Sequence, residues 1–110
     1  MNSDQFCELW RKEKEMILER CFNANYGSAL SKLVEQINLS SDQREVFAKV
    51  VDQLLNDTFY NLLLGLDGCA SIGGIQQEYK IYDEHGSLIS DCGELEASAY
   101  ELFQENKSNA

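Results

Sequence analysis

The segment from Ser40 to Leu64 constrains this chain more than any other. Val46, Phe47, Val50, Val51, Leu54, Leu55, Thr58, Phe59, Leu62 and Leu63 recur at helical spacing, with no proline or glycine among them. Ser40-Ser41-Asp42 supplies an N-cap, and Glu45 follows Asp42 in capping-box register. The spacing predicts one helix of roughly 23 residues. Its last turn, Leu62-Leu63-Leu64, is apolar all round and is expected to be buried on several sides. The rest of the fold must be built against this rod. The chain has 110 residues, 44% of them hydrophobic and none of them proline, which suits a single core of ordinary domain size.

Two helices are expected before it. Over residues 4–22, Phe6, Leu9, Trp10, Ile17 and Cys21 form a stripe, with Glu8, Arg11, Lys12, Glu15 and Glu19 outside it and Ser3 or Asp4 as cap. Over residues 26–38, Tyr26, Ala29, Leu30, Leu33, Val34 and Ile37 make the cleanest amphipathic pattern in the chain. After the long helix, Gly65 and Gly68 read as its stop and residues 66–74 as a loop. Gln76 to Asp83 reads as a strand, with Tyr79 and Ile81 on one face and Lys80 and Tyr82 on the other. Asp83-Glu84-His85-Gly86 is a turn, and Ser87 to Ser90 the returning strand. Such a hairpin is marginal alone, so it is expected to lie on the helices. Asp91 is the expected N-cap of a last helix carrying Leu95, Ala99, Leu102 and Phe103 and ending near Gln104. The expected fold class is α+β: about four helices and a small antiparallel hairpin in one domain over residues 1–105, with a flexible polar tail at 106–110.

Charge narrows the function classes. Nineteen acids face nine bases, for a formal net charge of −10. The excess is lopsided: residues 1–66 hold ten acids and seven bases, whereas residues 67–105 hold nine acids and one base, Lys80. This balance repels phosphate backbones and anionic membrane surfaces and favours a cationic protein partner. No apolar run is long enough to span a bilayer, and the polar start is unlike a signal peptide, so a cytoplasmic chain is expected.

Residues that carry chemistry are sparse. The four cysteines, Cys7, Cys21, Cys69 and Cys92, show no C-x-x-C or zinc-ribbon spacing, and His85 is the only histidine. The expectation is free thiols, no metal site, no cofactor and no catalytic residue. A nucleophilic Cys69 activated by His85 requires the hairpin to fold back; the simpler reading makes Cys69 a gap-filler and His85 an exposed turn residue. The glycines at 65, 68, 73 and 74 lack the Lys-Ser/Thr of a phosphate loop and read as a helix stop and turns. The acids of the hairpin and last helix form the most informative feature. They are either a solvated face or a docking face for a basic protein. The docking reading takes Tyr82, Asp83, Glu84, His85, Asp91, Glu94, Glu96, Tyr100 and Glu101 as partner-binding residues, carboxylates steering association and Tyr82 and Tyr100 acting as anchors.

Leu66-Asp67-Gly68 after a long helix, then Tyr82-Asp83-Glu84-His85-Gly86, then Gly93-Glu94-Leu95 before a last helix, resembles immunity proteins over roughly residues 50–105. These are the cytoplasmic antitoxins that protect bacteria from contact-dependent and other polymorphic toxins. The resemblance implies a non-enzymatic, stoichiometric inhibitor that binds a basic toxin domain, frequently a nuclease, with no direct contact to nucleic acid or membrane. It transfers no individual residue, and it leaves open a nucleic-acid mimic or a structural subunit of a larger complex.

Overall fold

A computed structural model describes residues 1–90 and 93–105. Among them the chain is helical, with α1 (Ser3–Cys21), α2 (Ala29–Ile37), α3 (Ser41–Leu66) and α4 (Glu94–Tyr100), the last running on into a π-helical turn at Glu101–Glu105. The tail at 106–110 and the expected cap Asp91 lie outside the described residues.

The long rod is present. Its cap is Ser40, whose side chain accepts from the Gln43 amide while the Gln43 side chain accepts from the Ser40 amide, so the box sits two residues before the expected Asp42–Glu45 pair. In α1 the cap is likewise earlier than expected: Asn2 and Gln5 form the capping box. Ser3 is thereby free to donate from its hydroxyl to the Ile89 carbonyl and to Glu94.

The helices α1 and α3 run antiparallel. Phe22 at the end of α1 meets Phe47 near the start of α3, ring centroids 5.8 Å apart. Arg44 lies over the Phe22 ring and donates to the Phe22 carbonyl. Further along, Lys14 reaches Asp52 (2.8 Å) and Asn56 (3.4 Å), and Trp10 stacks on Phe59 with centroids 5.5 Å apart. The inward set on α1 is Ser3, Cys7, Trp10, Lys14, Ile17 and Cys21, a seven-residue repeat of the kind that keeps one seam against a neighbouring helix. Leu9 falls outside this repeat and is exposed. The helix α2 packs on α1 and not on α3. It buries only Ser31 and Val34, so Leu30, Leu33 and Ile37 of the expected core stripe face outward.

The core lies at the other end. Cys7, Phe59, Leu63, Ile89, Leu95, Ala99 and Phe103 form one buried cluster, closed by α4 lying across α1 and α3. Asn56, buried in α3, donates to the Phe103 carbonyl and so satisfies an acceptor of the π-helical turn. The Ser98 hydroxyl donates to Asp4 on α1.

The α+β expectation is corrected. No strand forms among the described residues; two isolated bridges stand in its place, Ile72 with Ile75 and Tyr82 with Leu88. The reason is local. Asp83 and Ile89 donate to Ser87 and Ile81, which closes a turn. The next rung is taken by a side chain: the Ser90 hydroxyl accepts from the Ile81 amide and donates to the Tyr79 carbonyl. A side chain spanning the rung ends the ladder, so no backbone ladder bond is formed by residues 76–80. The expected glycine at positive φ is present in the turn, Gly86 at φ 85°. Gly68 also has positive φ, whereas Gly65 remains helical: a Cβ there would stand 2.5 Å from Ile72 Cγ1, so the glycine serves close approach of the 66–75 loop.

Candidate functional site

An open concavity lies between the outer face of α1 and the turn at residues 81–89. It is an open groove of about 920 Å³. Its apolar lining comes from Phe6 and Leu9 on one side and Ile81, Tyr82 and Ile89 on the other. Asp4, Glu8, Asp83 and Glu84 add carboxylates, with Lys12 and His85 the only basic side chains in the lining. Leu9 and Tyr82 are each about half exposed, at 50% and 55%, so the groove offers uncovered apolar surface inside an acidic setting.

The two walls are tied together by Asp83. Its carboxylate pairs with the amino group of Met1 at 3.0 Å and accepts from the amides of His85 and Ser87. The Ser87 amide, then the terminal ammonium and the His85 amide, hold this carboxyl below the usual range. Asp83 is therefore a turn-former and a clasp, with its lone pairs already committed. Glu8 is held low by the Arg11 guanidinium, its partner one helical turn on. Glu84 and His85 remain outward, 87% and 81% exposed at the side chain and 3.5 Å from each other.

The remaining expected residues are placed elsewhere. Asp91 lies outside the described residues. Glu94 accepts from Ser3 and lines a smaller, neighbouring hollow of about 320 Å³ with Asn2, Asp4 and Ser98. Tyr100 packs its ring edge-on against Tyr60, centroids 6.5 Å apart. Glu101 begins the π-helical turn and is exposed. Glu96 accepts from the Cys69 thiol at 3.0 Å. The acids expected to form one face are thus divided, and only the 82–85 group lines the groove. Cys69 and His85 are not in contact: the thiol reaches Glu96 and Asp67, and the imidazole reaches Glu84.

The α1 half of the groove, Asp4, Gln5, Phe6, Glu8, Leu9 and Lys12, is what sequence reasoning missed. One signal was available. Leu9 breaks the seven-residue repeat that places Cys7, Lys14 and Cys21 inward, and a large apolar residue off the core seam marks surface with another use.

A second cluster joins Asp67, Cys69 and Glu96, one ligand-type atom from each lying within 4.8 Å of the others. Asp67 ends α3 and accepts from the Glu96 amide, which supplies the first turn of α4 with the side-chain acceptor that its cap, Gly93, lacks. The hydrogen bond to Glu96, burial and the nearby Asp67 charge push the Cys69 thiol up to about 12. Burial does the same to Cys7, also to about 12. None of the described cysteines is paired in a disulfide.

The chain matches no family model, no curated protein and no solved structure. No helix among the described residues is long and apolar enough to cross a membrane.

Proposed function

We propose that this chain is a stoichiometric protein inhibitor of the immunity-protein kind, which docks a basic toxin domain, of nuclease type, on the groove between α1 and the 81–89 turn. The observation that carries this reading is the juxtaposition, in one open groove, of uncovered Leu9 and Tyr82 with Asp4, Glu8 and Glu84. Carboxylates at the rim accelerate encounter with a cationic surface and select for it. Affinity then comes from an apolar or aromatic side chain of the partner entering between Leu9 and Tyr82. A nucleic-acid mimic is less favoured, because the acids are divided among the groove, the Ser3 contact and the Cys69 contact.

The reading expects a large secreted protein with a basic C-terminal domain to be encoded beside this chain's gene, and the test is co-expression with that domain. The chain should restore growth and bind that domain one to one. Glu84→Lys should slow association at low salt, and Tyr82→Ala should weaken binding by roughly 30-fold, the 2 kcal/mol scale of an anchoring aromatic. Unchanged rates and affinity in both variants would refute the groove as the docking surface.

A second reading is favoured by a different observation: Val46, Val50 and Leu54 form an outward ridge on α3, 61%, 56% and 63% exposed. Residues at four-residue spacing interdigitate with an identical ridge when two helices cross. Residues 28–58 hold five acids and three bases, so only −2 of the net −10 lies there, and a second copy meets least repulsion at this end. That reading makes the chain a self-associating subunit. Sedimentation equilibrium should then show a dimer that Val50→Glu abolishes; a monomer at all concentrations would exclude it.

A further inference from the structure

The geometry points to a divalent-metal site of the zinc class at Asp67, Cys69 and Glu96, where the end of α3 meets the start of α4. The three side chains come from two segments of chain and converge on one point. Cys69 Sγ stands 3.6 Å from Asp67 Oδ2 and 3.0 Å from Glu96 Oε2. In a tetrahedral zinc site with a sulfur at about 2.3 Å and oxygens at about 2.1 Å, the sulfur and each oxygen are about 3.6 Å apart. The Cys69–Asp67 spacing already has this value. The Cys69–Glu96 spacing needs to widen by about 0.6 Å on that geometry, and Glu96 is exposed enough to swing.

An independent observation makes this more than a cluster of acids. Asp67 is only 9% exposed, and its Oδ1 is buried with no hydrogen-bond partner. A buried carboxylate with one oxygen left without a donor is costly, and a cation bound to that carboxylate, whose other oxygen Oδ2 faces Cys69, offsets the cost by charge. No protein cation does so. There is no Lys, Arg or His from Asn61 to Tyr79 or from Gly93 to Glu105. No salt bridge reaches any of the three residues among those described. Tyr60, coupled to Glu96 and Cys69, and Cys7, coupled to Asp67, are titratable groups near the cluster, and neither is a cation.

Ligand chemistry selects the ion. A thiolate with two carboxylates suits a borderline-soft ion such as zinc and is poorly matched to calcium or magnesium, which take oxygen ligands. On binding, the Cys69 S–H bond breaks, its proton goes to solvent, and an S–Zn bond forms with no change of oxidation state. Three protein ligands leave the fourth position to water. The sequence alone gives the opposite expectation, because Glu96 lies 27 residues from Cys69 and no ligand spacing announces it.

The test is a titration of the full chain, reduced, with Co²⁺ and then Zn²⁺. The expected result is a thiolate-to-cobalt charge-transfer band saturating at one ion per chain, bleached by Zn²⁺, together with a Zn²⁺-dependent rise in Tm. Cys69→Ser should remove the band. Glu96→Gln should weaken Co²⁺ binding by at least ~10-fold. Glu45→Gln, an exposed acid on α3 far from the cluster in sequence, should leave both readouts unchanged. The proposal is overturned if the folded wild-type chain gives neither band nor Tm shift. It is equally overturned if Cys69→Ser, folded by circular dichroism, keeps the full band, since the thiol involved would then be another cysteine.

Discussion

The two halves of α3 differ in what covers them. From Leu55 to Leu66 its inner face is covered: Phe59 and Leu63 are buried, Trp10 and Phe103 pack on Phe59, and Asn56 holds the π-helical turn, while Leu62 stays exposed. From Ser41 to Leu54 it touches α1 through Phe22, Phe47 and the Lys14–Asp52 pair, while Val46, Val50 and Leu54 face outward. One helix with one apolar period therefore serves two purposes. The difference is set by what lies opposite: α4 closes over the second half, and α2, which shares the first half's end of the molecule, packs only on α1. The molecule is elongated, with extents of 46 × 29 × 27 Å. The radius of gyration is 16.2 Å, against about 13 Å for a compact chain of this length. The buried cluster lies at the core end, whereas α2 and the first half of α3 leave much of their apolar stripes uncovered.

The sharpest way to break this comparison is a pair of truncations. Phe103→Ala, at a position with no exposure, should cost about 3–5 kcal/mol in chemical denaturation. Val50→Ala should change stability by less than about 0.5 kcal/mol, and in the favourable direction, because alanine is the better helix former at an exposed site. A large loss at Val50 would mean that the first half is packed after all.

The border between the halves is next. Lys14 is buried in α1 and held by Asp52 and Asn56 of α3. Asp52→Ala leaves that ammonium without its counter-charge and should cost roughly 1–3 kcal/mol, less than a fully buried pair because Asp52 is 38% exposed at its side chain. Lys14→Met in the same background should recover part of the loss, as a double-mutant cycle would register.

Hydrogen exchange gives a smaller but residue-resolved contrast. Amides of Phe59 and Leu63 should exchange only on global unfolding, and those of Val46 and Val50 by local opening at lower free energy. Equal protection along the whole of α3 would remove the distinction.

The smallest expected effect concerns the groove. Asp83 has its carboxyl lowered in the folded chain, so its contribution is complete above the ordinary carboxylate range, near pH 4, and is lost as pH falls through the lowered value. An NMR titration should show the Ser87 and His85 amides losing their hydrogen-bonded shifts only at that acidic end, with Asp83→Asn showing the free-turn shifts at neutral pH.

Much of this was legible in the sequence. The rod, the two helices before it, the last helix and the Asp83–Gly86 turn all follow from apolar period and turn chemistry. Two things were not. The hairpin was expected from alternation over residues 76–90, but alternation is blind to Ser90, whose hydroxyl replaces a backbone rung and stops the ladder. The stripe of α2 looked like core because period reports that a helix has an apolar side, and nothing in period says that another element comes to cover it. The groove was half legible for a related reason: residues 82–85 were marked by their charge, whereas Leu9 and Glu8 become neighbours of Tyr82 only through packing across most of the chain's length.

Chemical-shift mapping of the labelled chain with the basic toxin domain proposed as its partner tests the functional account most directly. The account predicts the largest perturbations at Leu9, Lys12, Tyr82, Glu84 and His85, fading as salt is raised. A footprint on Leu33, Val46, Val50 and Leu54 that is indifferent to salt would contradict it and place binding on the uncovered end of the molecule.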